Sequence, residues 1–152
     1  NMRLTVSSSS SIAASQADVA PLLFDLTAIT DYHPDLGTAE IVSEKKAGLG
    51  AKRKLTYDID CVSYYETIIQ TNEVDDITYE LSEYPFPCDM MTARIRTEQA
   101  DDESTTTTFT LTFDYTLKEG VSRAEAMCWQ SHLQLLCNDM TSGAKEHFED
   151  DE

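Results

Sequence analysis

Basic residues are scarce in this sequence: eleven Lys and Arg stand against twenty-eight Asp and Glu, and the formal net charge is −17. Nucleic acids and anionic membranes bind proteins mainly through phosphates that basic side chains neutralise, so neither is expected as a partner. The acidic residues are spread along the chain, which indicates a solvated and highly charged surface. One hypothesis for such a surface is a cytosol of high salt, where screening weakens the repulsion.

Long apolar runs are also lacking, since none approaches the roughly 20 residues that a membrane-spanning helix needs. The beginning, NMRLTVSSSSS, has no apolar core of a secretory signal, so a cytoplasmic location is expected. The length of 152 residues predicts one domain, residues 1–152, with a sizeable core. No sequence pattern specifies an oligomeric state.

Cysteine pairs with a recognisable spacing are missing. Cys61, Cys88, Cys128 and Cys137 form no CxxC motif and no zinc-finger pattern. Buried free thiols are therefore expected in place of a disulfide framework. No metal site and no cofactor are predicted.

The first third of the chain predicts one strand or linker followed by short helices. RLTVSSSSSIA, residues 3–13, is either a flexible serine segment or a strand with its apolar residues on one face. In the segment QADVAPLLFDLTAITDYHPDL, Pro21 suits a first helical turn, and Pro34 and Gly37 end the helical part. Helical spacing connects Val19, Leu22, Leu23 and Leu26.

Residues 38 to 119 show a period of two, which predicts six consecutive antiparallel strands. In the last strand, Phe109, Leu111, Phe113 and Tyr115 alternate with polar residues. One face of the sheet is therefore expected to be buried and the other to be exposed to solvent. The predicted segments are TAEIVSEKKAG, AKRKLTYDID, CVSYYETIIQ, DITYELSEY, MMTARIRTE and STTTTFTLTFDYTLKE.

A long helix over residues 121–148 follows, with Ser122 as its N-cap and Glu125 as a capping-box partner. Its apolar stripe must pack on the sheet, the one large surface available. The stripe comprises Trp129, Leu133, Leu136, Met140 and Ala144.

The sequence resembles the START-like (SRPBCC) superfamily in three respects. They are the order of these elements, the start SSIAASQADVAPLLFDLTAITDYHPDL, and the stretch GLGAKRKLTYDID followed by YYETIIQTNEVDDITYELSEYPFP. The polyketide cyclase/dehydrase-like branch is the most similar. Tyr32-His33-Pro34 departs from the pattern, because tryptophan is common there in the family. The resemblance implies an α+β helix-grip fold, in which a seven-stranded curved antiparallel sheet, with two short helices after the first strand, surrounds a long C-terminal helix.

The resemblance also implies a cavity between sheet and helix that binds a hydrophobic small molecule, such as a lipid, a polyketide or another aromatic. The alternative is a polyketide cyclase or dehydratase that uses the same cavity, with His33 and Arg53 as its weak catalytic candidates. A regulatory role toward another protein is a third possibility. Because no linked acid, base and nucleophile can be placed together, the sequence favours binding over catalysis.

The basic loop EKKAGLGAKRK, residues 44–54, lacks both the phosphate-binding GxxxxGK[ST] pattern and a third glycine before a helix. Its glycines predict a hairpin. Strand parity places Arg53 in phase with Leu55, Tyr57 and Ile59, facing inward. A buried Arg53 needs a partner, either a ligand carboxylate or an acidic side chain such as Glu66, and the internal pair is favoured.

The loop SEYPFPCDMM, residues 82–91, predicts either a lid over the cavity or a turn with Phe86 packed inside. The tyrosines of the sheet are expected either to pack in the core or to orient a polar group of the ligand. The full set of candidate ligand-binding residues is Arg53, Tyr57, Tyr79, Phe86, Met91, Tyr115, Trp129, Leu133 and Leu136.

Overall fold

Seven antiparallel strands form the framework of the computed structural model, which describes residues 2–101 and 105–149. They are β1 (Arg3–Ile12), β2 (Leu36–Ile41), β3 (Lys52–Tyr57), β4 (Ser63–Thr71), β5 (Asp76–Ser82), β6 (Cys88–Gln99) and β7 (Thr107–Leu117). The order across the sheet is β1-β7-β6-β5-β4-β3-β2, so the first strand crosses over to pair with the last. The predicted helix-grip fold, with its curved sheet and long C-terminal helix, is confirmed.

The helices are α1 (Gln16–Val19), α2 (Pro21–Phe24), a 3₁₀ helix (Ala28–Asp31) and α3 (Arg123–Glu149). Pro21 lacks the amide hydrogen that would continue α1, so it begins α2 instead. The Ser122 hydroxyl accepts a hydrogen bond from the Glu125 amide at 3.1 Å, as predicted for the N-cap of α3. None of the helices in the described part of the chain is long and apolar enough to cross a bilayer.

The serine-rich segment is a strand, and the linker alternative is wrong. Its inward serines hydrogen-bond to α3: the Ser8 and Thr141 hydroxyls lie 2.9 Å apart, and the Ser10 hydroxyl donates to the Thr141 carbonyl at 2.7 Å. Small hydroxyl side chains at these positions allow the helix to approach β1 closely while its polar groups stay paired. Composition alone favoured disorder as much as strand, and the tertiary contact with α3 decides between them.

The core lies between the inner face of the sheet and α3. The β7 side chains predicted to point inward, Phe109, Leu111, Phe113 and Tyr115, are buried. From α3 the buried set is Ala126, Leu133, Leu136, Cys137, Met140, Thr141 and Ala144. Strand and helical periodicity therefore predicted both halves of this core, except that Trp129 of the predicted stripe is only half-buried.

All four cysteines are free, but their burial differs from the expectation. Cys137 is buried and Cys88 is half-buried, whereas Cys61 and Cys128 are exposed. The prediction of buried thiols is wrong for the last two, because Cys61 follows the end of β3 and Cys128 lies beside the buried stripe of α3.

Candidate functional site

The glycine-containing loop joins β2 to β3, as predicted. Gly48 and Gly50 have φ angles of 75° and 88°, a region that favours glycine. The loop is longer than the expected hairpin, because β2 ends at Ile41. The Lys46 ammonium donates to the Ser43 carbonyl at 2.9 Å, so this cation contacts its own loop.

Arg53 points inward and is 1% exposed. Its Nε and Nη2 donate to Oε1 of Glu66 at 2.9 and 2.6 Å, and Nη1 donates to the Leu26 carbonyl at 2.9 Å. The guanidinium also lies 4.1 Å from the ring centre of Tyr79. Arg53 and Glu66 are direct neighbours in the β3–β4 register, which brings the two charges together. The structure therefore contains the internal Arg53–Glu66 ion pair, which the sequence favoured over a ligand carboxylate as the partner of Arg53.

Around this pair lies an inner chamber between the sheet and α3, bounded by Ile29, His33, Tyr64, Tyr79 and Met140 among others. Its free volume is about 10 Å³. A water molecule needs at least roughly this much space, so the chamber is too small for an organic ligand. The resemblance implied a ligand cavity between the sheet and the C-terminal helix. Around the Arg53–Glu66 pair, side chains fill that space.

His33 borders the chamber and is 3% exposed. Its Nδ1 accepts the Asp35 amide at 3.2 Å, which leaves the proton of the neutral ring on Nε2. Nε2 has no partner among the described residues. Burial, with a smaller contribution from the Arg53 charge, lowers the pKa of His33 to about 4, so the imidazole is neutral at physiological pH.

An open groove of about 520 Å³ lies at the outer end of the same interface. It is bounded by the end of β3 and the turn after it, by the loop between β5 and β6, and by the first half of α3. Most of its wall is apolar or aromatic. The lining residues are Asp35, Tyr57, Ile59, Asp60, Pro85, Phe86, Cys128, Trp129, His132 and Leu136.

A row of aromatic side chains, in the order Tyr57, Tyr64, Tyr84, Phe86 and Trp129, is shared by the two spaces. Tyr64 and Tyr84 border the chamber, and the other three line the groove. Successive ring centres are separated by 5.6, 4.7, 4.0 and 4.2 Å. All four contacts are edge-on or tilted, and none is a face-to-face stack. Phe86 is buried within the row. The loop of residues 82–91 is therefore a turn with Phe86 packed inside, which was one of its two predicted alternatives, and not a lid.

The family model for polyketide cyclase/dehydrase and lipid transport matches residues 3–132, which is most of the chain. The chain belongs to this family. No curated protein matches the sequence significantly.

Solved structures show the same fold. XoxI from Bacillus cereus is 20% identical with a TM-score of 0.79, and the alignment covers 96% of each chain. Ginseng major latex-like protein 151 from Panax ginseng is 15% identical with a TM-score of 0.71, covering 97% of this chain and 99% of its own. A START superfamily protein from Mycobacterium smegmatis is 14% identical with a TM-score of 0.68, covering 96% and 97%.

In this member of the polyketide cyclase/dehydrase and lipid transport family, the nine candidate ligand-binding residues occupy different places. Tyr57, Phe86, Trp129 and Leu136 line the groove. Arg53 and Tyr79 border the inner chamber, as does Leu136, and Met91 borders a separate surface depression. Tyr115 and Leu133 are core residues that border none of these spaces.

Several groove residues were not among those candidates. Ile59 was expected to face inward from its parity with Arg53, but β3 ends at Tyr57 and Ile59 is 95% exposed in the following turn. Asp35 and Asp60 also come from turns, where no periodicity indicates a direction. His132 lies 5.8 Å from both Phe86 and Trp129, ring centre to ring centre.

The two catalytic candidates do not reach the groove. His33 and Arg53 both border the inner chamber, and three guanidinium nitrogens of Arg53 already donate to protein acceptors. Neither side chain lines the groove, and the His33 ring lies 6.1 Å from the ring of the groove residue Tyr57, ring centre to ring centre. No cluster of three potential metal ligands occurs in residues 2–101 and 105–149.

Proposed function

We propose that this domain binds a hydrophobic small molecule in the groove between the turn after β3, the β5–β6 loop and α3. The observation that carries the proposal is the groove itself, which has a volume of about 520 Å³ and a mainly apolar wall. Its apolar and aromatic residues include Tyr57, Ile59, Pro85, Phe86, Trp129 and Leu136. Ligand pockets in proteins typically have volumes of roughly 300–1,000 Å³ and are lined mainly by apolar and aromatic residues.

Family membership supports the same class of ligand, since lipid transport is part of the family's description. The inner chamber, at about 10 Å³, has no room for a molecule of lipid or polyketide size, whereas the groove does, and its wall is mainly apolar. Such a ligand would cover Phe86 and Trp129 and extend along α3 toward Leu136. The groove does not contain His33 or Arg53, so its lining does not support the catalytic alternative. A cyclase or dehydratase activity stays a prediction.

The test uses Trp129, the single tryptophan of the chain, as its reporter. N-phenyl-1-naphthylamine, an uncharged apolar fluorophore, is titrated into the protein while Trp129 emission and energy transfer are recorded. Saturable binding with one site per chain and quenching of Trp129 is expected. Native mass spectrometry of freshly purified protein then identifies any ligand that is retained.

The matched variants are Ile59→Ser in the groove and Val74→Ser in the β4–β5 turn. Ile59 and Val74 are 95% and 64% exposed, so neither change should affect folding. Loss of part of the apolar wall should weaken binding in Ile59→Ser by roughly fivefold, and Val74→Ser should bind as the wild type does. Equal affinities for all three proteins, or the absence of saturable binding, would refute the proposal.

A further inference from the structure

One part of the groove carries negative charge. The Asp58 amide donates to the Asp35 carbonyl at 2.9 Å, which holds the segment before β2 against the turn after β3. This contact and the pairing of Leu36 with Tyr57 place Asp35 near the turn that carries Asp60, and both aspartates line the groove together with Tyr57. Both aspartates are exposed.

Neither carboxylate is neutralised by a neighbouring cation. Among residues 2–101 and 105–149, the ion pairs involve other acidic groups, and the residues that line the groove include no Lys or Arg. One Asp60 oxygen accepts the Val62 amide at 3.0 Å, which orients the side chain but leaves its charge uncompensated.

The negative charge reaches the wall of the groove. Burial raises the pKa of Tyr57, and the charges of Asp35, Glu66 and Asp60 raise it further, while a hydrogen bond with Tyr84 opposes these effects. The Tyr57 hydroxyl therefore lies in a field that disfavours a second anion. A fatty acid or another carboxylate ligand placed here would meet repulsion without a partner for its charge.

We propose that the groove selects a hydrophobic ligand with a protonated amine, such as an aromatic or long-chain amine. The ammonium would lie between Asp35, Asp60 and the Tyr57 ring, where carboxylates and an aromatic face both attract a cation. The apolar body would cover Phe86 and Trp129. This inference rests on the proposed function, because it assigns the charge of the ligand that the same groove binds.

The experiment compares three molecules with one hydrocarbon body: 4-phenylbutylamine, 4-phenylbutanol and 4-phenylbutyrate. Their affinities are measured at pH 7.5 and constant ionic strength by calorimetry and by Trp129 emission. The amine should bind more tightly than the alcohol, the alcohol more tightly than the acid, and the amine and acid should differ by at least roughly tenfold.

The variant Asp35→Asn/Asp60→Asn removes the two charges and keeps the shapes of the side chains. It should lower amine affinity to that of the alcohol, so that the ratio of the two affinities within this variant falls to about one. The charge-matched control is Asp18→Asn/Asp139→Asn, at two exposed positions outside the groove. Because the control changes the net charge equally, it should retain the preference for the amine.

The outcomes separate the two proposals. If the alcohol binds but the amine binds no better, the groove is a ligand site without selectivity for amines, and this inference is wrong. Equal losses in the two double variants would attribute the preference to the overall charge of the protein and would also overturn it. If none of the three molecules binds, the proposed function fails together with the inference.

Discussion

Arg53 shows how one residue type acquires a structural role from its neighbours. A buried guanidinium without a partner would be costly, and here Glu66, the Leu26 carbonyl and the Tyr79 ring all compensate it. The pair joins β3 and β4, and the bond to Leu26 connects the sheet to the segment after α2. A ligand is not needed to explain why the arginine is inside.

We expect Arg53→Met and Glu66→Gln to destabilise the protein by similar amounts, because each leaves the other charge of the buried pair without its partner. Arg53→Met leaves the Glu66 carboxylate buried without a cation and should cost about 3–5 kcal/mol, and Glu66→Gln leaves an uncompensated arginine at a similar cost. The double variant should cost clearly less than the sum of the two. Urea denaturation of all four proteins measures the coupling, and additive costs would show that the two charges do not stabilise each other.

His33 should make stability depend on pH. The unfolded chain binds a proton at His33 below its ordinary pKa of 6.5, whereas the folded protein keeps a pKa of about 4 and remains neutral there. Because the unfolded state then binds more protons, stability is lost as the pH falls from about 6.5 toward 4. At pH 5 the loss from this residue should be about 2 kcal/mol relative to neutral pH.

The comparison for this effect is His33→Asn, whose side-chain oxygen can still accept the Asp35 amide. The free energy of unfolding of both proteins is measured from pH 7.5 to pH 4.5. The variant should lose less stability over this window, and the difference isolates His33 from the many carboxylates. Parallel curves for the two proteins would contradict the assignment of a low pKa to this histidine.

At the scale of elements, α3 closes the fold by packing against β1 and β7. Its position depends on a close contact between Gly143 and the backbone of Tyr32. A Cβ placed on Gly143 would lie 2.4 Å from the backbone oxygen of Tyr32. The helix can pass the segment after the 3₁₀ helix only because this residue has no side chain. The same segment carries His33 and leads to Asp35, so this contact also positions one side of the groove.

We therefore expect Gly143→Ala to destabilise the protein although alanine favours helices. The clash is with backbone, which cannot rotate away, so the cost should exceed the propensity gain of about 1 kcal/mol and give a net loss of roughly 2 kcal/mol. The adjacent exposed Ser142→Ala is the control and should be neutral or slightly stabilising. Thermal or urea unfolding distinguishes them, and a stabilised Gly143→Ala would disprove the close contact.

At the scale of the whole molecule, the net charge of −17 opposes the compact state by self-repulsion. Salt shortens the range of this repulsion to about 3 Å at 1 M, so it should favour folding. The high-salt cytosol inferred from the sequence stays a prediction, and the location of the protein does too.

We expect the melting temperature to rise as KCl increases from 0.05 to 1 M. Because screening changes most at low ionic strength, the greater part of the increase should occur below about 0.3 M. Calorimetry or circular dichroism at several salt concentrations measures the curve. A melting temperature that is unchanged or lower in molar salt than in dilute buffer would contradict the hypothesis of a high-salt cytosol.

The sequence by itself determined the elements and their faces. Alternation in β7 and the apolar stripe of α3 predicted which side chains form the core, and parity placed Arg53 inside, because both periods follow from local backbone geometry. The order of elements, together with the start of the chain and the GLGAKRKLTYDID stretch, indicated the family and its fold. Boundaries were less accurate where a strand ended in a turn, as at Ile59, since parity has no meaning beyond the last paired residue.

Only the tertiary structure decided where a ligand has room. The partner of Arg53 depends on the β3–β4 register, and the volume of the chamber depends on how tyrosines from several strands meet α3. The groove contains Asp35 and Asp60 because two turns distant in sequence contact each other through Asp58. Local periodicity fixes directions within one element, whereas a cavity is the space left between elements, and its size and charge follow from contacts that no single segment encodes.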